Sequence, residues 1–253
     1  MAKVTTAKRA ALRMDDLGNN LDGTVIPSTT NVRIAYENGD YTDFGGTFSF
    51  LPGGVFTGTV ATVKHVVGGQ TVFSVQGANA DAQTLFALID AGDILGAQAY
   101  VLRGGDTILG NGLADVLYGF DGDDTLSGNG GSDVLVGGKG RDTLNGGVGA
   151  DRFAYWSADD SGLTQTTRDT IFGFSHAERD RIDLSAIDAN ENTAARNEKF
   201  TLVDAFTGRA GQLTVQQIAA GWLVSGDTDG RDGADFSILV KADGPLVATD
   251  FIL

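Results

Sequence analysis

An aspartate recurs every nine residues between positions 101 and 154, at Asp106, Asp115, Asp124, Asp133, Asp142 and Asp151. An apolar residue follows each one two places later: Ile108, Leu117, Leu126, Leu135, Leu144 and Phe153. Residues 137–145, GGKGRDTLN, and 146–154, GGVGADRFA, are complete copies of G-G-x-G-x-D-x-U-x, with U apolar. A short fixed period of this kind is the mark of a repeat architecture.

Six of the nine positions are turn-like, so the unit is too short and too rich in glycine for a helix, and only its last three residues can extend as a strand. Glycine tolerates positive φ and close backbone approach, so the first six residues make a tight turn whose carbonyls can face inward. Side chains alternate along a strand, which puts U on one face and its neighbours on the other. Two units then close one flattened coil, and stacked coils give parallel strands around a thin core of U side chains.

That core does not hold by itself. Burying one Leu contributes roughly 1.5–3 kcal/mol, whereas fixing each backbone residue costs about 1–2 kcal/mol. Coils stacked about 4.8 Å apart also bring turn carboxylates together, and each pair repels by about 3 kcal/mol at an effective dielectric near 20. A cation is therefore needed. The donors on offer are carboxylates and backbone carbonyls, with no cysteine in the chain and no histidine close to the repeats. Oxygen-only sets of six to eight ligands suit Ca²⁺, whereas Mg²⁺ demands a stricter octahedron. The metal-site candidates are the six aspartates, with Asp106, Asp124 and Asp142 along one edge of the roll and Asp115, Asp133 and Asp151 along the other. The turn residues Gly119, Gly122, Gly128, Gly131, Gly137, Gly138, Gly140, Gly146, Gly147 and Gly149 join them, as does Asp121. A flexible Gly/Asp-rich linker is the competing reading, and six in-register Asp and U positions argue against it.

The nonapeptide resembles the repeat of the RTX (repeat-in-toxin) proteins, for which it is a known signature of a calcium-binding parallel β-helix. Residues 168–188, RDTIFGFSHAERDRIDLSAID, resemble the D-x-I-x-x-F-x-x-x-x-D-x-I-D-L-S segment that follows the roll in serralysin C-terminal domains. DTDGRDGADF at 227–236 and DFIL at 250–253 are similar to that domain's ending, so the likeness spans roughly residues 101–253. The resemblance implies several calcium ions as cofactor. It also implies export through a one-step type I secretion channel that reads an uncleaved C-terminal signal, here DFIL, and a location outside the cell or on a bacterial surface.

Two units depart from the pattern. VLRGGDTIL keeps only Gly104 in register, and GNGLADVLY has Leu113 where a glycine belongs. Metal is therefore expected to be weakest at the roll's N-terminal end and best held between the turns ending in Asp124, Asp133, Asp142 and Asp151. In the 227–236 stretch Arg231 stands where a carboxylate would extend the ligand set. Asp227, Asp229 and Asp235 are accordingly either a second metal site or a structural turn.

With 33 acidic and 18 basic residues the chain carries a net charge of −15, which disfavours nucleic acid or an anionic membrane as partner. No run of about eighteen apolar residues is present, so nothing reads as a transmembrane segment. The absence of cysteine excludes disulfides and thiolate metal sites. Lys3, Lys8, Arg9 and Arg13 are not followed by an apolar core, unlike a conventional secretory signal.

The fold class expected is mainly β, in three parts. Residues 1–23 read as a polar arm. Residues 24–100 read as a small antiparallel β-rich domain with one or two short helices. Residues 101–253 read as a parallel β-roll with a mixed β extension. The runs NVRIAY, YTDF, TFSF, VFTGTVATVKHVV and TVFSVQG are separated by turn residues at 37–40, 52–54 and 68–69, as in a meander. Leu85, Phe86, Leu88 and Ile89 are spaced for a helix over 81–91 that ends at Gly92, and 94–102 suits a second. These helices are expected to cover the open end of the roll. Trp156 and the run 170–174 are expected to cover the other end, with further strands near 200–203, 212–216, 222–225 and 236–240.

Catalytic signatures are missing. His65 and His176, the two histidines, lie outside any H-E-x-x-H pattern and read as ordinary sheet and surface residues. Ser132 and Ser175 each lack a glycine of G-x-S-x-G. The chain thus reads as a non-catalytic calcium-binding protein, a surface or matrix component acting through adhesion, self-association or biofilm assembly. Two alternatives stay open. One is an accessory module that binds acidic polysaccharide through bridging calcium, as a resemblance to epimerase repeat modules implies. The other is an enzyme with its site in residues 24–100.

Overall fold

In this computed structural model the described residues are 31–35, 41–51, 55–67, 70–82, 84–85, 100–193, 198–231 and 233–253. The expected arm, the three meander turns and most of the two expected helices lie outside them. The chain divides into two compact units, residues 2–108 and 109–253.

In the first unit β1 (Asn31–Ala35), β2 (Tyr41–Leu51), β3 (Val55–Val67) and β4 (Gln70–Asp81) pair antiparallel in succession, the expected meander. YTDF and TFSF form one strand, because Gly45 and Gly46 are absorbed as a register shift. An added Cβ at Gly46 would sit 1.9 Å from Thr59 O, so only glycine lets β3 approach this closely. The shift leaves Ala61 as an extra residue in β3, and Val60 and Val63 both become buried, beside Phe44 and Phe48 of β2. At the end of β4, Asp81 Oδ1 accepts from Thr84 N at 2.9 Å and Thr84 Oγ1 at 2.8 Å, which starts a helical turn through buried Leu85. Asp106 also belongs to this unit; it is buried, and burial pushes its carboxyl up to about 6.

β5 (Thr107–Leu109) lies at the boundary between the units. Beyond it the strands alternate between two sheets. One contains β6 (Val116–Asp121), β8 (Val134–Lys139), β10 (Arg152–Ala154), β12 (Arg181–Asp183) and β17 (Phe251–Ile252), all parallel. The other runs β7 (Thr125–Ser127), β9 (Thr143–Asn145), β11 (Asp169–Phe174) and β16 (Phe236–Ala242), again parallel. Two antiparallel partners, β15 (Gly221–Asp227) and β14 (Gln212–Ile218), and the short β13 (Thr201–Leu202) finish it.

The U positions make two ladders of buried side chains. Leu117, Leu135, Phe153, Ile182 and Phe251 are successive partners in one sheet, and Leu126, Leu144, Ile171 and Val240 in the other. The run 170–174 is therefore a further rung and not the end cover expected of it. Asp169-Thr170-Ile171 repeats the D-x-U spacing and so takes the same place in the pleat. Trp156 closes no end either. It is 56% exposed, with its ring centroid 5.5 Å from that of Tyr118 on β6. The tail at 250–253 docks as an edge strand, where Leu184 N donates to Ile252 O at 2.9 Å.

Candidate metal centre

The turns of the second unit hold their aspartates in two buried columns. Each aspartate amide donates to the carboxylate of the aspartate one coil later: Asp115 N to Asp133 Oδ1 at 2.8 Å, Asp124 N to Asp142 Oδ1 at 2.8 Å, and Asp133 N to Asp151 Oδ1 at 2.9 Å. The columns continue past the repeats through two residues absent from the sequence-derived site. Asp142 N donates to Asp169 Oδ1 at 2.8 Å, and Asp151 N to Asp180 Oδ1 at 2.9 Å. A signal for both was present, since Ile171 and Ile182 follow them two places on. The intervals of 27 and 29 residues, in place of 18, conceal it.

One oxygen of each carboxylate is spent on that amide. Asp133 Oδ2, Asp142 Oδ2 and Asp151 Oδ2 are buried and have no hydrogen-bond donor among the described residues. Under each lies the first glycine of its own turn. An added Cβ would come 2.1 Å from Asp133 Oδ2 at Gly128, 2.1 Å from Asp142 Oδ2 at Gly137 and 2.0 Å from Asp151 Oδ2 at Gly146. At Gly128 the same point is 2.5 Å from Gly146 O, a carbonyl of the next coil. Carboxylate and carbonyl oxygens from successive coils thus converge on a cradle that holds no side chain. Such an all-oxygen set fits a hard cation of the Ca²⁺ type.

Backbone geometry explains the other glycines. The fourth turn position, Gly122, Gly131, Gly140 and Gly149, has φ between 112° and 138°. The second is left-handed in the same four turns: Phe120 (φ 73°), Asn129 (70°), Gly138 (95°) and Gly147 (98°). Two candidates stand apart from the columns' orphan oxygens. Asp121 is exposed at the end of β6. Asp115 is half-buried and turns its carboxylate to its own loop, taking Asn111 N at 2.8 Å and Asn111 Nδ2 at 3.2 Å. In the loop between β15 and β16, Asp227, Asp229 and Asp235 each bring one carboxylate oxygen within 4.8 Å of the others.

Burial sets the electrostatics of the columns. It pushes Asp133 and Asp180 up to about 6 and Asp142 up to about 7, against the stabilising amide donors. Asp151 is raised for the same reason, and Asp169 well above the carboxylate range, with Asp142 adding to the effect. At about 1.4 kcal/mol per unit, ionising Asp142 alone in the metal-free fold costs roughly 4 kcal/mol. A positive charge between the coils would offset that cost.

His176, read from the sequence as an ordinary surface residue, is held between two carboxylates. His176 Nδ1 faces Asp243 Oδ1 and Nε2 faces Asp250 Oδ2 at 3.1 Å, partners that lie 67 and 74 residues away.

The family described as peptidase M10 serralysin C terminal matches residues 28–253. A search of the curated proteins returned no match. Among solved structures the chain is similar to the AlgE6R3 subunit of the Azotobacter vinelandii mannuronan C5-epimerase, at 27% identity over 56% of this chain and 80% of that one, with a TM-score of 0.38. It is also similar to the AlgE6R2 subunit of the same epimerase, at 27% identity over 57% of this chain and 88% of that one, with a TM-score of 0.42.

Proposed function

Because the chain belongs to the peptidase M10 serralysin C-terminal family, we propose that it is a secreted, non-catalytic calcium-binding protein whose roll folds on meeting extracellular Ca²⁺. The observation that carries this is the set of buried Asp133, Asp142 and Asp151 Oδ2 atoms, which have no donor among the described residues and stand over empty glycine cradles. Ca²⁺ that binds only the folded roll stabilises it by RT ln(1 + [L]/Kd). Inside a cell free calcium is too low for that, so the acidic columns keep the chain open and fit for passage through a type I channel. Outside, the ion closes the roll. We place the folded product at the cell surface or in an extracellular matrix, acting by adhesion or self-association.

Circular dichroism during a calcium titration tests the folding step: β signal should rise with Ca²⁺ and fall in chelator. Equal β content in both conditions would refute it. Sedimentation with and without calcium tests assembly, for which growth in mass only with calcium is expected.

A second reading, binding of acidic polysaccharide, is favoured by one observation. Arg152 and Arg181 are neighbours in register on β10 and β12, and with Arg179 they line a groove of about 290 Å³. Arg179 and Arg181 make no ion pair among the described residues. Retention of the calcium-loaded chain on a polyuronate matrix, lost in Arg152→Ala/Arg181→Ala, would support this over self-association.

A further inference from the structure

The loop between β15 and β16 carries a cluster that the roll does not use. Asp227, Asp229 and Asp235 place one carboxylate oxygen each within 4.8 Å of the others. Oxygens that ligate one Ca²⁺ at about 2.3–2.6 Å from it lie at most about 5 Å apart, so the three are already within the span of a single ion.

Each carboxylate spends one oxygen on its own loop. Asp227 Oδ1 accepts from Gly230 N at 2.6 Å and Asp229 Oδ1 from Arg231 N at 2.7 Å. Asp235 Oδ2 accepts from Thr228 N at 2.6 Å and Thr228 Oγ1 at 2.8 Å. What remains at Asp227 is different in kind. The residue is fully buried, and its Oδ2 has no hydrogen-bond donor among the described residues. No lysine or arginine among them pairs with any of the three carboxylates. A buried carboxylate oxygen without a donor, next to two other carboxylates, lacks a positive partner.

The surroundings hold the loop in shape without filling that need. Gly211 N donates to Asp227 O at 2.8 Å, Glu191 N to Thr228 O at 3.0 Å, and Asn192 Nδ2 to Asp229 O at 2.7 Å. Gly230 has φ +71°, and an added Cβ there would meet Ala210 N at 2.8 Å. Along the chain, Asp227, Asp229 and Asp235 fall at the first, third and ninth places of a calcium-loop spacing, with Arg231 at the fifth.

We propose that Asp227, Asp229 and Asp235 form a separate divalent-cation site, selective for a calcium-sized ion, that fastens the β15–β16 hairpin independently of the roll. Equilibrium dialysis of the full chain against ⁴⁵Ca²⁺, with circular dichroism in parallel, tests it. Asp229→Asn keeps the Oδ1 acceptor for Arg231 N and removes the charge. It should lose one equivalent of bound calcium while the calcium-induced β signal persists; unchanged stoichiometry would overturn the proposal. Should Asp229→Asn weaken the fold itself, Arg231→Asp decides. A fourth carboxylate should tighten one equivalent at least ten-fold, and unaltered affinity counts against the site. Uptake of a single equivalent, abolished by Asp229→Asn, would sustain this site while refuting the roll.

Discussion

His176 Nε2 stands 3.1 Å from Asp250 Oδ2, and the other ring nitrogen faces Asp243, so one imidazole joins the end of β11 to the segment that leads into β17. Imidazole carries two N–H donors only when protonated, and both carboxylates are satisfied together only by the cation. The hydrogen bond to Asp243, followed by the charges of Asp250 and Asp243, raises the His176 pKa against some desolvation.

A raised histidine pKa contributes stability that is complete below its ordinary value near 6.5 and is lost as pH climbs through the raised one. The calcium-loaded chain should therefore melt lower at pH 9 than at pH 6. His176→Gln should abolish that difference. Melting curves across this range decide it, and an identical slope in the variant would show that another group is responsible.

The metal-free roll should respond to acid in the opposite sense to most acidic proteins. Its column carboxyls are raised, Asp133 and Asp180 to about 6 and Asp142 to about 7. Their stabilising effect is therefore full below about pH 4 and vanishes as pH rises through 6 to 7. In chelator, β signal should increase on going from pH 7.5 to 4.5, with protons standing in for the ion. A chain equally unfolded at both values would contradict this.

Gly149 has φ +131°, and an added Cβ would sit 1.7 Å from Gly131 O, a backbone atom that cannot step aside. Gly149→Ala should cost more than about 2 kcal/mol in the calcium-loaded state, from strain and clash together. Gly104→Ala meets nothing within 4 Å and should stay within about 0.5 kcal/mol of the parent. Urea denaturation in saturating calcium compares the two.

Asp169 separates the two duties of a column carboxylate. Asp169→Asn keeps an acceptor for Asp142 N but removes a buried charge, so it should leave the metal-free chain as stable or more so while weakening calcium binding. Asp169→Ala strands the Asp142 amide in a buried position and should cost about 1–3 kcal/mol with or without calcium. Paired denaturation curves in calcium and in chelator would show the crossover, and parallel losses in the two variants would deny it.

The roll was legible because its period is local: the aspartates and U residues recur at intervals short enough to set coil, register and core together. Past Phe153 the ladder persists through Ile171, Ile182, Val240 and Phe251, but the loops between rungs vary in length, so the ends of the columns at Asp169 and Asp180 escape a nine-residue count. Left-handed backbone at Phe120 and Asn129 was hidden for another reason. Asn is among the few non-glycine types that tolerate it, but Phe gives no such signal, and Phe120 adopts it at the place that Gly138 and Gly147 hold in later turns. The His176 bridge could not be inferred from spacing, since its partners are distant in sequence and only the return of β16 and β17 to the sheets brings them near.

The hydrogen bonds between column aspartates all run the same way, from the amide of an earlier aspartate to the carboxylate of a later one. The last two repeat loops accordingly depend on residues beyond the repeats, Asp169 and Asp180, for the acceptors of their aspartate amides. A fragment cut at 154 would leave both of those buried amides without a partner, so the repeats are closed by a stretch that does not itself repeat.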